Sequence, residues 1–201
     1  KIGWSKTTED IFDLGKLIEI FEVKDIQKAG AVFDIERLNF VNQAHIANMK
    51  INSLMQELEG FNKKNGFSLN DHHDGEYLLE LCKGSANNLS EIALFIKPFL
   101  VDFDDYNPED FDKHLRNSEA VINYFKNNLN KLDTWTEESI EKVVEAAKND
   151  LSLPMPKIGL PLRVALLGRA KSPQLNSTIY LIDKEKVIER LSKALEIITE
   201  H

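Results

Sequence analysis

Between Pro154 and Leu175 the chain reads PMPKIGLPLRVALLGRAKSPQL. This stretch holds Lys157, Arg163, Arg169 and Lys171 without a single Asp or Glu, in a chain of formal net charge -8. Phosphate contact follows local potential rather than net charge, so a polyanion is expected to land here. Leu162, Val164, Ala165 and Leu166 read as the start of an amphipathic helix, with Arg163 interrupting the apolar run and free to point outward. Gly168 stands at the C′ position that ends such a helix. Arg169 and Lys171 then fall in a loop, and Ser172-Pro173 opens the next element. A helix–loop–helix elbow of this kind gathers two guanidinium groups, a hydroxyl and freed backbone N–H groups. Arginine pairs bidentately with a phosphate or a base edge and also stacks on a base. A solvated basic loop has the same composition, and both readings stand at this point. The prolines at 154–161 predict a rigid approach to the helix LRVALLG.

Other constellations carry less. His72 and His73, between Asp71 and Asp74, are wrongly spaced for two ligands on one helix face, and their segment has loop composition, so a solvated turn is expected. Asp102, Asp104 and Asp105 lack the Gly and closing Glu of a calcium loop and read as surface charge. Cys82 is the only cysteine. It excludes an internal disulfide or a multi-Cys zinc site, fits a reducing, cytoplasmic setting, and reads as a small apolar residue on a helix. No G-x-S-x-G, P-loop or G-x-G-x-x-G occurs, and no carboxylate pair stands out. No catalytic residue and no metal site are expected.

The elements that must hold these residues are helical. Leu14, Leu17, Ile18 and Phe21 share one face, and Asp34 can cap a helix with candidate core positions Ile35, Leu38, Val41 and Ile46. Ile51, Leu54, Met55 and Leu58 give a stripe ended by Gly60. Tyr77, Leu78 and Leu81 mark a helix stopped near Gly84, and Leu89, Ile92, Ala93 and Ile96 another stopped by Pro98. Pro108 opens a stretch through Leu115; Val121, Tyr124, Phe125 and Leu129 follow. Thr134-x-x-Glu137 has the form of a capping box, and Asp183 can cap the last helix, with its stripe Val187, Ile188, Leu191, Leu195 and Ile198. With no strand series and no fixed repeat, the fold class is all-α. A length of 201 residues suffices for a sizeable core. No apolar run approaches a membrane span, and the first residues, KIGWSKTTED, have neither a signal-peptide pattern nor an initiator Met, so the chain reads as starting within a longer protein. The acidic stretch VDFDDYNPEDFD suggests a boundary near residues 100–110.

Three blocks resemble the C-terminal, tRNA-binding half of bacterial glutamyl-tRNA synthetase, a class I aminoacyl-tRNA synthetase. They are IGWS at 2–5 with EDIFDLGKLIEIFEV at 9–23; AVFDIERLNFVNQAHI at 31–46, similar to AVFDxEKLxWLNxxYI; and MPKIGLPLRVALLGRAKSPQL at 155–175, similar to PLRxALTGxxxSPxL, with IERLSKALEII matching the last helix. The likeness is strongest at 1–46 and 154–200 and weak across 50–130. It implies a stem-contact helical region at 1–48, then an anticodon-binding helical cage in two subdomains, 49–105 and 106–201. It implies tRNA for glutamate as partner, with the N-terminal catalytic domain that uses ATP and Mg2+ missing here, no cofactor in this part, no membrane, and a monomer. Arg163 matches the family's arginine that meets anticodon bases; Ser172, Pro173 and Leu175 match residues lining the same pocket, with Arg169 and Lys171 beside them. Arg37 stands where the family has Lys and Phe40 where it has Trp, near the tRNA stem, and Asn42 matches an Asn of that block that reads as structural. One departure is Ser85, placed where discriminating members carry an arginine that reads the third anticodon letter. Serine lacks that bidentate fork. A non-discriminating synthetase that also accepts tRNA for glutamine, or a helical protein–protein interaction domain, are the competing readings.

Overall fold

The computed structural model describes residues 4, 11–26, 32–103 and 105–200. Among these, every regular element is a helix: α1 (Leu14–Ile20), α2 (Ile35–Asn48), α3 (Ile51–Lys64), α4 (Gly75–Cys82), α5 (Leu89–Leu100), α6 (Pro108–Asp110) running into a π-helical turn at Phe111–Leu115, α7 (Glu119–Asn130), α8 (Glu137–Asp150), α9 (Met155–Leu167), α10 (Leu175–Tyr180) and α11 (Lys184–Glu200). The all-α expectation holds. None of the described helices is long and apolar enough to cross a membrane.

Several helix starts follow from short polar side chains. Asp34 accepts from Arg37 N at 3.0 Å, Asn88 from Glu91 N at 2.9 Å and Asn107 from Asp110 N at 3.0 Å, each satisfying an N–H that the helix itself leaves unpaired. Asp183 directly precedes α11. The capping box of α8 lies two residues later than the sequence pattern suggests, at Thr136 and Ser139. Glu137 is drawn away by the Tyr77 hydroxyl, which donates to it at 2.7 Å.

The helix breakers are overridden. Gly60 sits inside α3, where burial of Leu54 and Leu58 outweighs a glycine cost of about 1 kcal/mol. Pro98 sits inside α5, which runs on to Leu100. Its missing N–H deprives the Leu94 carbonyl of a helical donor, and Arg169 Nη1 approaches that carbonyl at 3.4 Å. The prolines expected to stiffen an approach are also helical. Pro156 occupies the first turn of α9, where no N–H is needed, and Pro161 lies within the helix.

The buried side chains form one continuous cluster from Ile46 to Ala194. Helix α9 is its axis, touching α5, α7, α8, α10, α11 and the π-turn, with Ile158, Leu162 and Val164 to Leu167 all buried. The N-terminal stripes behave otherwise. Leu14, Ile18, Phe21, Ile35 and Leu38, expected as apolar faces or core, are exposed, and Ile46 is the buried residue of α2. The amphipathic pattern is real, but the described residues supply no layer to cover it.

Candidate nucleic-acid interface

The elbow after α9 is built around Gly168. Its φ of 72° is left-handed, and a Cβ there would lie 3.1 Å from the Phe103 ring and 3.2 Å from the Asp105 carbonyl oxygen, so glycine is required by both backbone and space. The α6 end pins the turn. Asn107 N donates to the Gly168 carbonyl at 2.7 Å, and Ala170 N donates to Asp110 Oδ2 at 2.9 Å.

Arg163 projects from α9 and is half-buried. Its Nε donates to Ser172 Oγ at 2.8 Å and its Nη2 to the Pro173 carbonyl at 3.3 Å. The Ser172 hydroxyl is 2.9 Å from that carbonyl and 3.1 Å from Thr178 Oγ1. The side edge of the guanidinium is therefore held by Ser172 and Pro173, while the end edge formed by Nη1 and the second Nη2 proton has no acceptor among the described residues. No described carboxylate pairs with Arg163. Burial pulls its pKa down, yet a guanidinium stays charged at neutral pH. Gly159, one turn earlier, makes room for it: a Cβ there would stand 2.9 Å from Arg163 Nη1.

The other expected residues divide into inward braces and exposed groups. Arg169 turns inward: its Nη2 donates to the Phe95 carbonyl, its Nη1 to that of Leu94, and its guanidinium lies 4.5 Å from the Phe95 ring centroid. Both donations go to α5, which makes Arg169 a brace between α5 and the elbow. Lys171 is exposed, donates to the Ser85 carbonyl at 2.9 Å and lies 5.5 Å from the same ring. Ser85 and Lys171, 86 positions apart, thus meet at one rim of the elbow. Leu175 is buried and packs toward Gly159. In α2, Arg37 and Phe40 form an outward cation–π pair at 5.6 Å, and Phe40 is exposed. Asn42 Nδ2 donates to the Asn87 carbonyl at 2.5 Å, and Gln43 Nε2 to that of Gly84 at 3.2 Å. These two bonds tie α2 to the turn that carries Ser85.

Two lesser expectations change. His72 is not a solvated turn residue. Its Nε2 is 2.8 Å from the Leu181 carbonyl and its Nδ1 accepts from Asp74 N at 3.1 Å, which fixes the tautomer with the proton on Nε2. It stacks on His73 at 4.4 Å, and burial lowers its pKa. The pair latches the segment before α4 onto the turn before α11. Asp102, expected as plain surface charge, accepts from the buried Arg190 at 3.0 Å; Asp104 lies outside the described residues. Cys82 is buried, with its thiol pushed up to about 12 by desolvation.

Three contributors escaped the sequence reading: Gly159, Phe95 and Arg190. Gly159 had a signal in its i, i+4 spacing to Arg163. Arg190 had one in its place between Val187, Leu191 and Ala194, on the buried side of α11.

Fold and site together define an all-helical domain that frames a cationic elbow with one guanidinium edge left open. The chain belongs to the anticodon-binding domain family, whose model matches residues 31–195. It is 31% identical over 197 residues to glutamate–tRNA ligase 2 of a Nitratiruptor species, covering 98% of this chain and 42% of that protein. Among solved structures it is similar to a glutamate tRNA ligase from Elizabethkingia meningosepticum in complex with its amino acid (TM-score 0.83, 24% identity, 98% of this chain and 39% of that one). It is also similar to glutamate-tRNA synthetase from Elizabethkingia anophelis (TM-score 0.77, 24% identity, 97% and 38%). The chain thus spans about two fifths of the length of these relatives.

Proposed function

We propose that this chain is the tRNA-holding part of a glutamate–tRNA ligase and that the elbow at Arg163, Ser172 and Pro173 reads unpaired anticodon bases of tRNA for glutamate. The observation that carries the reading is the divided guanidinium of Arg163. Ser172 and Pro173 hold one edge and so fix the plane of the group, while the Nη1–Nη2 edge keeps its donors. A splayed-out base presents carbonyl and ring-nitrogen acceptors on its Watson–Crick edge, and an oriented arginine meets them at little cost in side-chain entropy. Lys171 at the rim adds phosphate attraction without sequence information. Arg169 and Leu175 hold the elbow in shape from behind.

On this reading residues 1–48 contact the tRNA stem through Arg37 and Phe40, and the stretches 49–105 and 106–201 form the two parts of the anticodon cage. The rest of a ligase of the relatives' length carries glutamate activation with ATP and Mg2+, and packs over the exposed apolar residues of α1 and α2. The protein works in the cytoplasm as a monomer. Ser85, which stands where the resemblance places the reader of the third anticodon letter, lies at the rim where Lys171 donates to its carbonyl.

The test is a binding series with tRNA transcripts of altered anticodon. Arg163→Ala should weaken the cognate transcript by about 1–3 kcal/mol and compress the differences between anticodons. An anticodon preference identical to that of the unmodified chain would refute the assignment. Including tRNA for glutamine, with and without Ser85→Arg, separates the discriminating enzyme from one that accepts both.

A further inference from the structure

A groove runs between the π-helical turn that follows α6 and the first two turns of α9, enclosing about 570 Å³. Its floor is apolar, with Val121, Leu160 and Pro161; its rim carries Lys113, His114, Asn117 and Lys157. The lining contains no carboxylate, although the chain has 33 acidic residues against 25 Lys and Arg. Neither Lys113 nor Lys157 has an ion pair or a hydrogen bond among the described residues, and both are exposed. On α8, by contrast, Lys142 is paired with Glu138 and Lys148 with Glu145. The π-turn at Phe111–Leu115 is a second, independent observation. Such turns are rare and frequent at functional sites, and this one sets Lys113 and His114 into the groove wall.

The groove and the elbow share helix α9. Leu160 lies one turn before Arg163, and Lys157 about 9 Å before it along the helix axis. We propose that this groove is a second RNA subsite, taking a single-stranded nucleotide next to those at the elbow, with its base against Leu160 and Pro161 and its flanking phosphates on Lys113 and Lys157. Charge complementarity selects the occupant: two unpaired lysines and no carboxylate suit a phosphodiester strand, and an apolar floor suits a base face. The inference rests on the anticodon reading above, because it needs an unpaired strand leaving Arg163.

The experiment measures the affinity of the 201-residue chain for the cognate tRNA transcript between about 50 and about 200 mM salt. Lys113→Ala with Lys157→Ala should lower the salt slope by about 1.4, since each single-strand phosphate that is no longer neutralised removes about 0.7. The fall in affinity over that salt range then becomes about sevenfold smaller, while anticodon preference is unchanged. Lys131→Ala with Lys142→Ala, outside the groove, is the control. An unchanged slope in the groove variant, or an equal drop in the control, overturns the proposal. Arg163→Ala in the same series separates the two readings. If it blurs anticodon preference while the groove variant keeps its slope, only the groove fails; if it leaves preference intact while the groove variant loses slope, the elbow assignment fails and the groove stands as a phosphate site.

Discussion

Replacing Arg190 with methionine should cost about 2–4 kcal/mol of folding stability. The guanidinium belongs to a residue only 5% exposed and lies where three helices converge. Its Nη1 donates to the carbonyls of Pro98 (2.6 Å) and Leu166 (2.7 Å), near the C-terminal ends of α5 and α9. Its Nη2 donates to the Val101 carbonyl (3.1 Å) and to Asp102 Oδ1 (3.0 Å). Helix C-termini leave such carbonyls without intrahelical donors, so one side chain satisfies two ends at once. Methionine fills similar volume but donates nothing. Val101 is half-exposed and Asp102 exposed, so water can replace the arginine there. The Leu166 carbonyl is buried and the Pro98 carbonyl half-buried, and each buried acceptor left without a donor costs about 1–3 kcal/mol. With Pro98 at the low end of that range, the total is about 2–4 kcal/mol. For a domain of this size that is a fall in melting temperature of about 10 °C, at about 2–4 °C per kcal/mol. Urea denaturation at neutral pH measures it directly. Asp102→Asn, which removes only the solvated partner, should cost far less. A stability change under about 1 kcal/mol for Arg190→Met would refute the reasoning, showing that the helix ends do not depend on this side chain.

Two further outcomes follow from the same geometry. Gly159→Ala sets a methyl 2.9 Å from Arg163 Nη1, so the guanidinium must swing away from Ser172 while the fold is kept; cognate tRNA binding should weaken and the Arg163 Nε–H resonance should shift, and combining it with Arg163→Ala should add nothing further, whereas additive effects would deny the positioning role. Burial holds the His72 pKa below its ordinary 6.5, so the unfolded chain takes up the proton first. The stability His72 contributes is therefore complete above pH 6.5 and lost as pH falls through the lower folded value. Denaturation midpoints taken across this window should fall with acid, and His72→Gln should flatten that slope; an unaltered slope would exclude His72 as its source.

Much of this architecture is legible in the residues. The apolar stripes of α3, α5, α7 and α11 mark their helices, and Asp34, Asn107-Pro108 and Gly168 behave as caps because each supplies locally the group its helix end requires. What the pattern misses is non-local. Gly60, Pro98 and the prolines of 154–161 have the local character of breaks, but their costs of about 1–3 kcal/mol each are smaller than the burial around them. Arg169 arrives from 75 positions away to serve the Leu94 carbonyl that Pro98 leaves open. The stripes of α1 and α2 point to core positions that are exposed, since amphipathicity tells which face seeks cover and not what covers it.

The basic segment, its lack of carboxylates and its closing glycine are fixed by order along the chain, and with them the place of the proposed RNA contact. The partition of its cations is not. Arg163 stays half-open, Arg169 braces α5 and Lys171 reaches Ser85, because a guanidinium's role depends on which carbonyls and rings the folded chain brings within about 3 Å. Residue types dictate which bonds are possible; only packing decides which donors are already spent on the protein and which remain for a nucleotide.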